Sequence, residues 1–345
     1  MKGKIWPWVR LIGGLGILAV LAWRLGTGAF LDSLRVIDVG TLLIAAGIGL
    51  LTTIASAWRW CLVVRGMGMT LPLGGAIADY YRSIFLNAAL PGGVLGDVHR
   101  AVRHGREVSD VGRGVRAVVL ERTAGQLVLF AVAAGVLLTL PVPAPAPLVT
   151  GAQVAVVGVV LVAAVAVLVV AVRGRRQASV PDQGLGQPPA ATTAPARSWW
   201  ARAVRRTIAD LRGGLLARRT WPGVLALSVV ALAGHLATFV VAARAAGSTA
   251  PLHQLAPLMV LALLAMAVPL NVGGWGPREG VTAWAFGAAG LGAGLGLTVA
   301  VVYGLLALTA SLPGAGVLAV RGLRKLSVGR LRARRQARLS PQPAT

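Results

Sequence analysis

Charge is scarce in this sequence and cysteine almost absent. Only 13% of its 345 residues are charged and ten are acidic, whereas a soluble globular chain carries about 25% charged residues. With 56% hydrophobic residues and a mean hydropathy of +0.76, that scarcity excludes an ordinary soluble domain. The single cysteine, Cys61, excludes an intramolecular disulfide and an all-cysteine metal site. Lysine is nearly replaced by arginine, 3 against 31, which together with heavy use of Ala, Val and Gly points to a GC-rich bacterial genome. Catalytic signatures are missing too: there is no G-x-S-x-G, H-E-x-x-H, Walker A or dinucleotide fingerprint. The expectation is a chain that is not an enzyme, uses no cofactor or metal, and does not pump on ATP by itself.

What is abundant is continuous apolar sequence. Several stretches approach or exceed the roughly 18 apolar residues that mark a spanning helix. Hydrocarbon gives the backbone no hydrogen-bond partner, so only helices or a closed barrel cross it. The runs are continuous rather than alternating, which selects helices. The expected fold is an all-α polytopic membrane protein of the bacterial plasma membrane. It has about six full spans and two broken, re-entrant hairpins, six to eight spans by count, with both termini cytoplasmic.

The formal charge of +24 matters through its placement. Ten arginines and two aspartates lie between Arg173 and Arg219, and eight basic residues and no acid follow from Arg321 onward. Such charge raises a nucleic-acid reading. Basic loops beside apolar spans are, however, what the positive-inside rule produces. The expected partners are membrane lipids, with anionic headgroups at the cytoplasmic face, and no nucleic acid.

Along the chain, residues 11–23 form an apolar run after Lys2 and Lys4. It lacks a small-x-small cleavage site and is closed by Arg24, so it reads as a retained signal-anchor and first span. Residues 39–60 are the second span, with Arg59 and Arg65 marking its cytoplasmic end. Residues 76–97 are only moderately apolar and contain Asp79, Arg82 and Asn87. They are followed by Arg100, Arg103, Arg106, Arg113 and Arg116, so both flanks belong on the same side. The simplest geometry is a re-entrant hairpin broken at Pro91-Gly92-Gly93, tolerated at depth only inside protein or beside a wet cavity. Residues 115–140 and 149–172 are spans joined by a proline-rich external loop and complete an N-terminal membrane half, 1–172.

A basic cytoplasmic linker, 173–220, follows. Its 179–195 part has a disordered composition, and 199–216 reads as an amphipathic helix at the headgroups. The C-terminal membrane half, 221–320, holds spans at 221–243 and 297–320, and a basic tail, 321–345, ends the chain. Residues 252–294, interrupted at 271–280, are either two crossings or a hairpin entering from outside. The hairpin is preferred because it mirrors the first. Two opposed hairpins, each broken at Gly-Gly, are what an inverted repeat gives, and such interrupted segments mark a midplane binding site.

Three polar clusters sit in these apolar surroundings. Asp79, Arg82, Ser83 and Asn87 recur every three to four residues and so share a helical face. Glycines 92, 93 and 96 allow close approach of backbone to a ligand, and a helix restarting near Gly93 offers free N–H groups to an anion. The second cluster is Glu121-Arg122, with Gln126 a turn further. The third is Gly273-Gly274-Trp275-Gly276-Pro277-Arg278-Glu279, where Pro277 fits the first helical position. Ionisable residues within a membrane are functional by default. Glu121 reads also as an interfacial residue or a structural partner of Arg82 or Arg278. His235 reads as an interhelical hydrogen bond. His99 and His104 share no helical face, which argues against a metal pair.

These elements resemble the membrane domain of lysylphosphatidylglycerol synthases and their stand-alone flippase-like relatives. The resemblance rests on Arg82-Ser83-Ile84-Phe85-Leu86-Asn87-Ala88-Ala89-Leu90-Pro91-Gly92-Gly93, then Gly96-Asp97 and Arg100-Ala101. It continues in Glu121-Arg122-Thr123-Ala124-Gly125 and in Val268-Pro269 with Gly273-Gly274-Trp275-Gly276-Pro277-Arg278-Glu279. The bifunctional relatives carry a cytoplasmic aminoacyltransferase domain where this chain shows a short basic tail, so the resemblance implies lipid movement rather than lipid synthesis. It implies that Arg82, Arg100, Arg122 and Arg278, with Asn87, Pro91, Gly92, Gly93, Gly96, Gly273, Gly274 and Gly276 at the breaks, hold the headgroup of a phospholipid or polyprenyl-phosphate lipid. Asp97, Glu121 and Glu279 would balance the arginines in the empty site, since an unpaired buried charge is costly. Two rivals stand beside this reading: a non-catalytic membrane partner of a separate lipid-modifying glycosyl- or aminoacyltransferase, and a small-solute secondary transporter.

Overall fold

The computed structural model describes residues 36–89, 93–140, 206–267 and 276–321, with Thr150, Gly151, Gln153 and Gly158. The expected first span at 11–23, nearly all of 149–172, the linker up to 205, the break residues Pro91, Gly92, Gly273 and Gly274, and the tail beyond Arg321 lie outside the described residues. Among the described residues all regular structure is helical.

Helix α1 (Val39–Gly66) starts on Asp38, whose carboxylate accepts the Thr41 N–H at 2.6 Å and so satisfies one of the free donors of a helix start. After α2 (Leu73–Ala89) and α3 (Leu95–Glu107), α4 (Val111–Thr139) begins in the same way, with Asp110 accepting the Arg113 N–H at 2.8 Å. Residues 206–211 are helical and pass into a π-helical turn (Arg212–Leu216). Then come α5 (Trp221–Ala245), α6 (Leu252–Ala267), α7 (Pro277–Ala288) and α8 (Ala293–Ser311), and a turn at Leu312 leads into a further helical run over 313–321. Helices α1, α4, α5 and the continuous Ala293–Arg321 stretch are long and apolar enough to cross a membrane; α6 is apolar but shorter. At 1.5 Å per residue, the 28 residues of α1 reach about 42 Å, more than the roughly 30 Å of a hydrocarbon core.

Burial runs opposite to that of a water-soluble protein. Leu43, Ile44, Leu51, Val119, Leu138 and Val229 are exposed, while Arg59, Asp79, Arg82, Arg100, Glu121, Arg278 and Glu279 are buried. Apolar flanks on long helices suit hydrocarbon, and charges are tolerated there only when turned inward and paired. Small residues let the helices approach closely. A Cβ on Gly234 of α5 would lie 2.1 Å from Thr52 Cγ2 of α1, and one on Gly49 of α1 would lie 2.3 Å from Ala310 Cβ of α8.

The buried apolar side chains gather in two main clusters. One, around Trp60, Cys61, Val63, Tyr80 and Leu120, joins α1 to α4; the other, around Phe239, Leu255, Phe286 and Tyr303, lies chiefly among α5 to α8. The end of the basic linker belongs to the packed body. A Cβ on Gly66 would meet the Gly213 carbonyl oxygen at 2.2 Å, and Arg116 is ion-paired with Asp210. Helices α2 and α3 pack on each other across residues 90–94, and α6 packs on α7 across 268–276. A helix start follows each interruption read from the sequence, at Leu95 and at Pro277.

Candidate functional site

The α2–α3 break is built from side chains three and four residues apart. Asp79, Tyr80, Arg82 and Ser83 are all buried. At Gly93 the backbone has φ +61°, a left-handed conformation that favours glycine, and α3 restarts at Leu95. Gly96 is pressed onto α2: a Cβ there would lie 2.0 Å from the Ser83 carbonyl oxygen. Its N–H donates to Asn87 Oδ1 at 2.8 Å, and the Asn87 amide donates in turn to Asp97 Oδ2 at 3.0 Å. Ser83 Oγ donates to Asp97 Oδ1 at 3.0 Å. The N–H of Gly96 at this helix start is thus taken by the Asn87 amide oxygen, and Asp97 adds a carboxylate in the first turn of α3, where the helix dipole favours it. Gly96→Ala is expected to force α2 and α3 apart and to cost about 1–3 kcal/mol, the usual range for overpacking. A lowered unfolding temperature in detergent would register it.

Asp97 opens onto a larger ionic cluster. Glu121 of α4 is wholly buried. Its Oε1 accepts from Arg59 Nε of α1 at 3.0 Å and from the Tyr80 hydroxyl at 3.3 Å, and Arg59 Nη2 reaches the same oxygen. Its Oε2 accepts from Arg100 Nη2 of α3 at 3.0 Å, and that nitrogen also donates to Asp97 Oδ1 at 2.9 Å. Arg122 Nη2 donates to Asp97 Oδ2 at 2.6 Å, and Arg59 Nη1 to Ser228 Oγ of α5 at 3.1 Å. The Arg100 guanidinium carbon lies 4.5 Å from the Trp60 ring centre and 4.4 Å from that of Tyr80, so aromatic faces stabilise a cation that water does not reach. Three guanidiniums therefore meet two carboxylates. Among the described residues, Arg100 Nε and Nη1, Arg122 Nε and Gln126 Oε1 are buried and find no hydrogen-bond partner. Arg122 is the open member, its side chain 41% exposed, whereas the Arg100 and Glu121 side chains are at 0%.

Two expectations are corrected here. Arg59 is not a surface marker of the cytoplasmic end of α1; it is buried and paired. The structural partners of Glu121 are Arg59 and Arg100, rather than Arg82 or Arg278. Arg82 turns to a different group: its Nη2 donates to His99 Nδ1 at 2.8 Å and lies 3.6 Å from Asp79.

The second break has its own ion pair. Gly276, with φ +113°, caps α7, and Pro277 occupies its first turn. The Gly276 N–H donates to Glu279 Oε2 at 2.7 Å, and Arg278 Nε donates to Glu279 Oε1 at 2.9 Å. Both side chains are almost completely buried, and the Arg278 guanidinium lies 5.1 Å from the Tyr303 ring centre. The Tyr303 hydroxyl is 3.3 Å from His235 Nδ1, the interhelical contact expected of that histidine.

Of the residues singled out in the sequence, Asn87, Gly96, Asp97, Arg100, Glu121 and Arg122 are brought together. Gly93 forms the turn before them; Arg82 joins Asp79; Gly276, Arg278 and Glu279 form the pair at α7. Arg59, Trp60, Tyr80 and Ser228 complete the first cluster and were not expected there. The one sequence signal for them was Arg59 itself, an arginine inside the apolar run 39–60. Among the described residues no group of three His, Cys, Asp or Glu side chains is placed to hold a metal.

A family model described as Lysylphosphatidylglycerol synthase TM region matches residues 8–314. No curated protein matches the chain.

Proposed function

The chain belongs to the lysylphosphatidylglycerol synthase transmembrane-region family, and from that premise we propose that this multi-pass membrane protein is a lipid flippase. It receives the phosphate-bearing headgroup of a phospholipid or polyprenyl-phosphate lipid at the Arg122–Asp97 edge of the buried cluster and passes it between leaflets. The carrying observation is a cluster of three arginines and two carboxylates, enclosed by apolar helices and open at Arg122. Arginine is in excess, and buried donors on Arg100 and Arg122 find no acceptor among the described residues, which favours an anionic ligand with several oxygens. In the empty site Asp97 and Glu121 neutralise the arginines. An arriving phosphate replaces Asp97 on Arg122, and the freed carboxylate faces any cationic portion of the headgroup. Acyl or isoprenoid chains stay against the apolar exterior. No bond is made or broken, both termini are cytoplasmic, and the two interrupted hairpins enter the membrane from opposite sides.

Reconstitution into liposomes with labelled phosphatidylglycerol, lysylphosphatidylglycerol and polyprenyl phosphate tests this. Wild type is expected to accelerate translocation of at least one of them over protein-free liposomes. Arg122→Gln, altering a half-exposed side chain, is expected to slow it by about tenfold or more, the effect of losing one charge-assisted hydrogen bond of about 1.5–3 kcal/mol. Wild-type rates equal to those of empty liposomes for every lipid would refute the reading.

A further inference from the structure

At Asp79 of α2 three arginines converge on one carboxylate oxygen. Asp79 Oδ1 lies 2.7 Å from Arg103 Nη1 and 3.6 Å from Arg82 Nη2, and it is also paired with Arg321 Nη1. These arginines come from α2, α3 and the end of the helical run after α8. That run is held against α2 by Gly314, where a Cβ would meet the Tyr81 carbonyl oxygen at 2.2 Å. Asp79 and Arg82 are closed off, while the Arg103 and Arg321 side chains are 33% and 29% exposed. The group therefore has a buried floor and a two-arginine mouth. Glu107, half exposed at the surface, takes the Nε edge of Arg103 at 2.9 Å and leaves Nη1 to the convergence.

We propose that Asp79 gathers Arg82, Arg103 and Arg321 into a second anion site, separate from the headgroup cluster, whose occupant is a phosphate group. Asp79 and, at the rim, Glu107 leave three guanidiniums held this close in excess, and each guanidinium presents its donors in a fixed fork that matches phosphate oxygens. Because the mouth is formed by side chains of α3 and of the last described helix, an anion there ties the C-terminal end of the bundle to the re-entrant hairpin. The phosphate belongs either to a lipid headgroup or to a free anion, and the two sources differ in potency.

The test uses the full chain in detergent and reads the unfolding temperature during titration with inorganic phosphate and with short-chain phosphatidic acid. It measures binding alone, so it stands or falls apart from translocation. Wild type is expected to show a saturable rise. Arg103→Gln and Arg321→Gln are each expected to raise the half-saturating concentration by about tenfold, corresponding to about 1.4 kcal/mol. Should the glutamine variants fail to fold, Arg103→Lys and Arg321→Lys, which keep charge and lose the fork, are expected to weaken binding in the same direction. Greater potency of phosphatidic acid assigns the site to a lipid and equal potency to free phosphate; both support it. Absence of a saturable response to either ligand overturns the proposal. So does a response abolished by Arg122→Gln and unchanged in the Arg103 and Arg321 variants, which would place the anion at the headgroup cluster.

Discussion

Glu121→Gln is expected to destabilise the protein by about 3–5 kcal/mol, the cost of breaking a buried ion pair by removing one partner, and to abolish translocation. Glu121 is fully buried, and its two oxygens serve Arg59, Arg100 and Tyr80. Glutamine nearly preserves the shape but removes the charge and turns an amide N–H₂ toward guanidinium donors. Asp97 would then be the one carboxylate left in the cluster for three arginines, already engaged by Arg100 and Arg122. Solvent reaches Arg122 but not the two guanidiniums on Glu121, since the Arg59 side chain is 6% exposed and that of Arg100 0%. Adding Arg59→Met removes one cation and is expected to restore most of the lost stability without restoring transport. Unfolding by SDS titration reads the first quantity and the liposome assay the second. A stability loss below about 1 kcal/mol for Glu121→Gln, the range of exposed pairs, would show that water reaches Arg59 and Arg100 as well as Arg122.

The contrast between what was legible in the sequence and what was not follows from the range of the interactions concerned. Helix breaks are local events, so Pro91-Gly92-Gly93 and Gly276-Pro277 announced them, and α3 and α7 begin where those residues place them. The inward polar face of α2 was equally legible, because Asp79, Arg82, Ser83 and Asn87 recur at helical spacing. Partner choice is not local. Arg59 sits 62 residues from Glu121 in sequence, and an arginine near the end of an apolar run is ordinarily a topology marker. Tyr80 and Trp60 carry no charge, so nothing in their spacing announces that they flank Arg100. The anion-ready start of α3 was foreseen, but not that Asn87 and Asp97 would occupy it, because that depends on how closely Gly96 lets α3 settle on Ser83.

Glu279→Gln is the second change expected to have a large effect, again about 3–5 kcal/mol, since it removes the carboxylate paired with the buried Arg278 guanidinium. Glu279 has two roles that substitution separates. Its Oε2 accepts the Gly276 N–H at the start of α7, and its Oε1 pairs with Arg278. Glutamine keeps a carbonyl oxygen able to accept the N–H and loses only the charge. Glu279→Ala loses both and is expected to cost about 1 kcal/mol more, the typical value of an N-terminal cap. The double variant Arg278→Met, Glu279→Gln removes cation and anion together and is expected to fold nearly as well as wild type, because an apolar side chain of similar size replaces a desolvated one. That variant decides what the pair is for. If Arg278 helps to hold the headgroup, a folded double variant translocates lipid more slowly than wild type, and Tyr303→Phe, which removes the hydroxyl beside His235, slows it in the same direction. If both variants translocate at the wild-type rate, the pair serves only to seal the start of α7, and the headgroup's path runs through the Asp97 and Glu121 cluster without it.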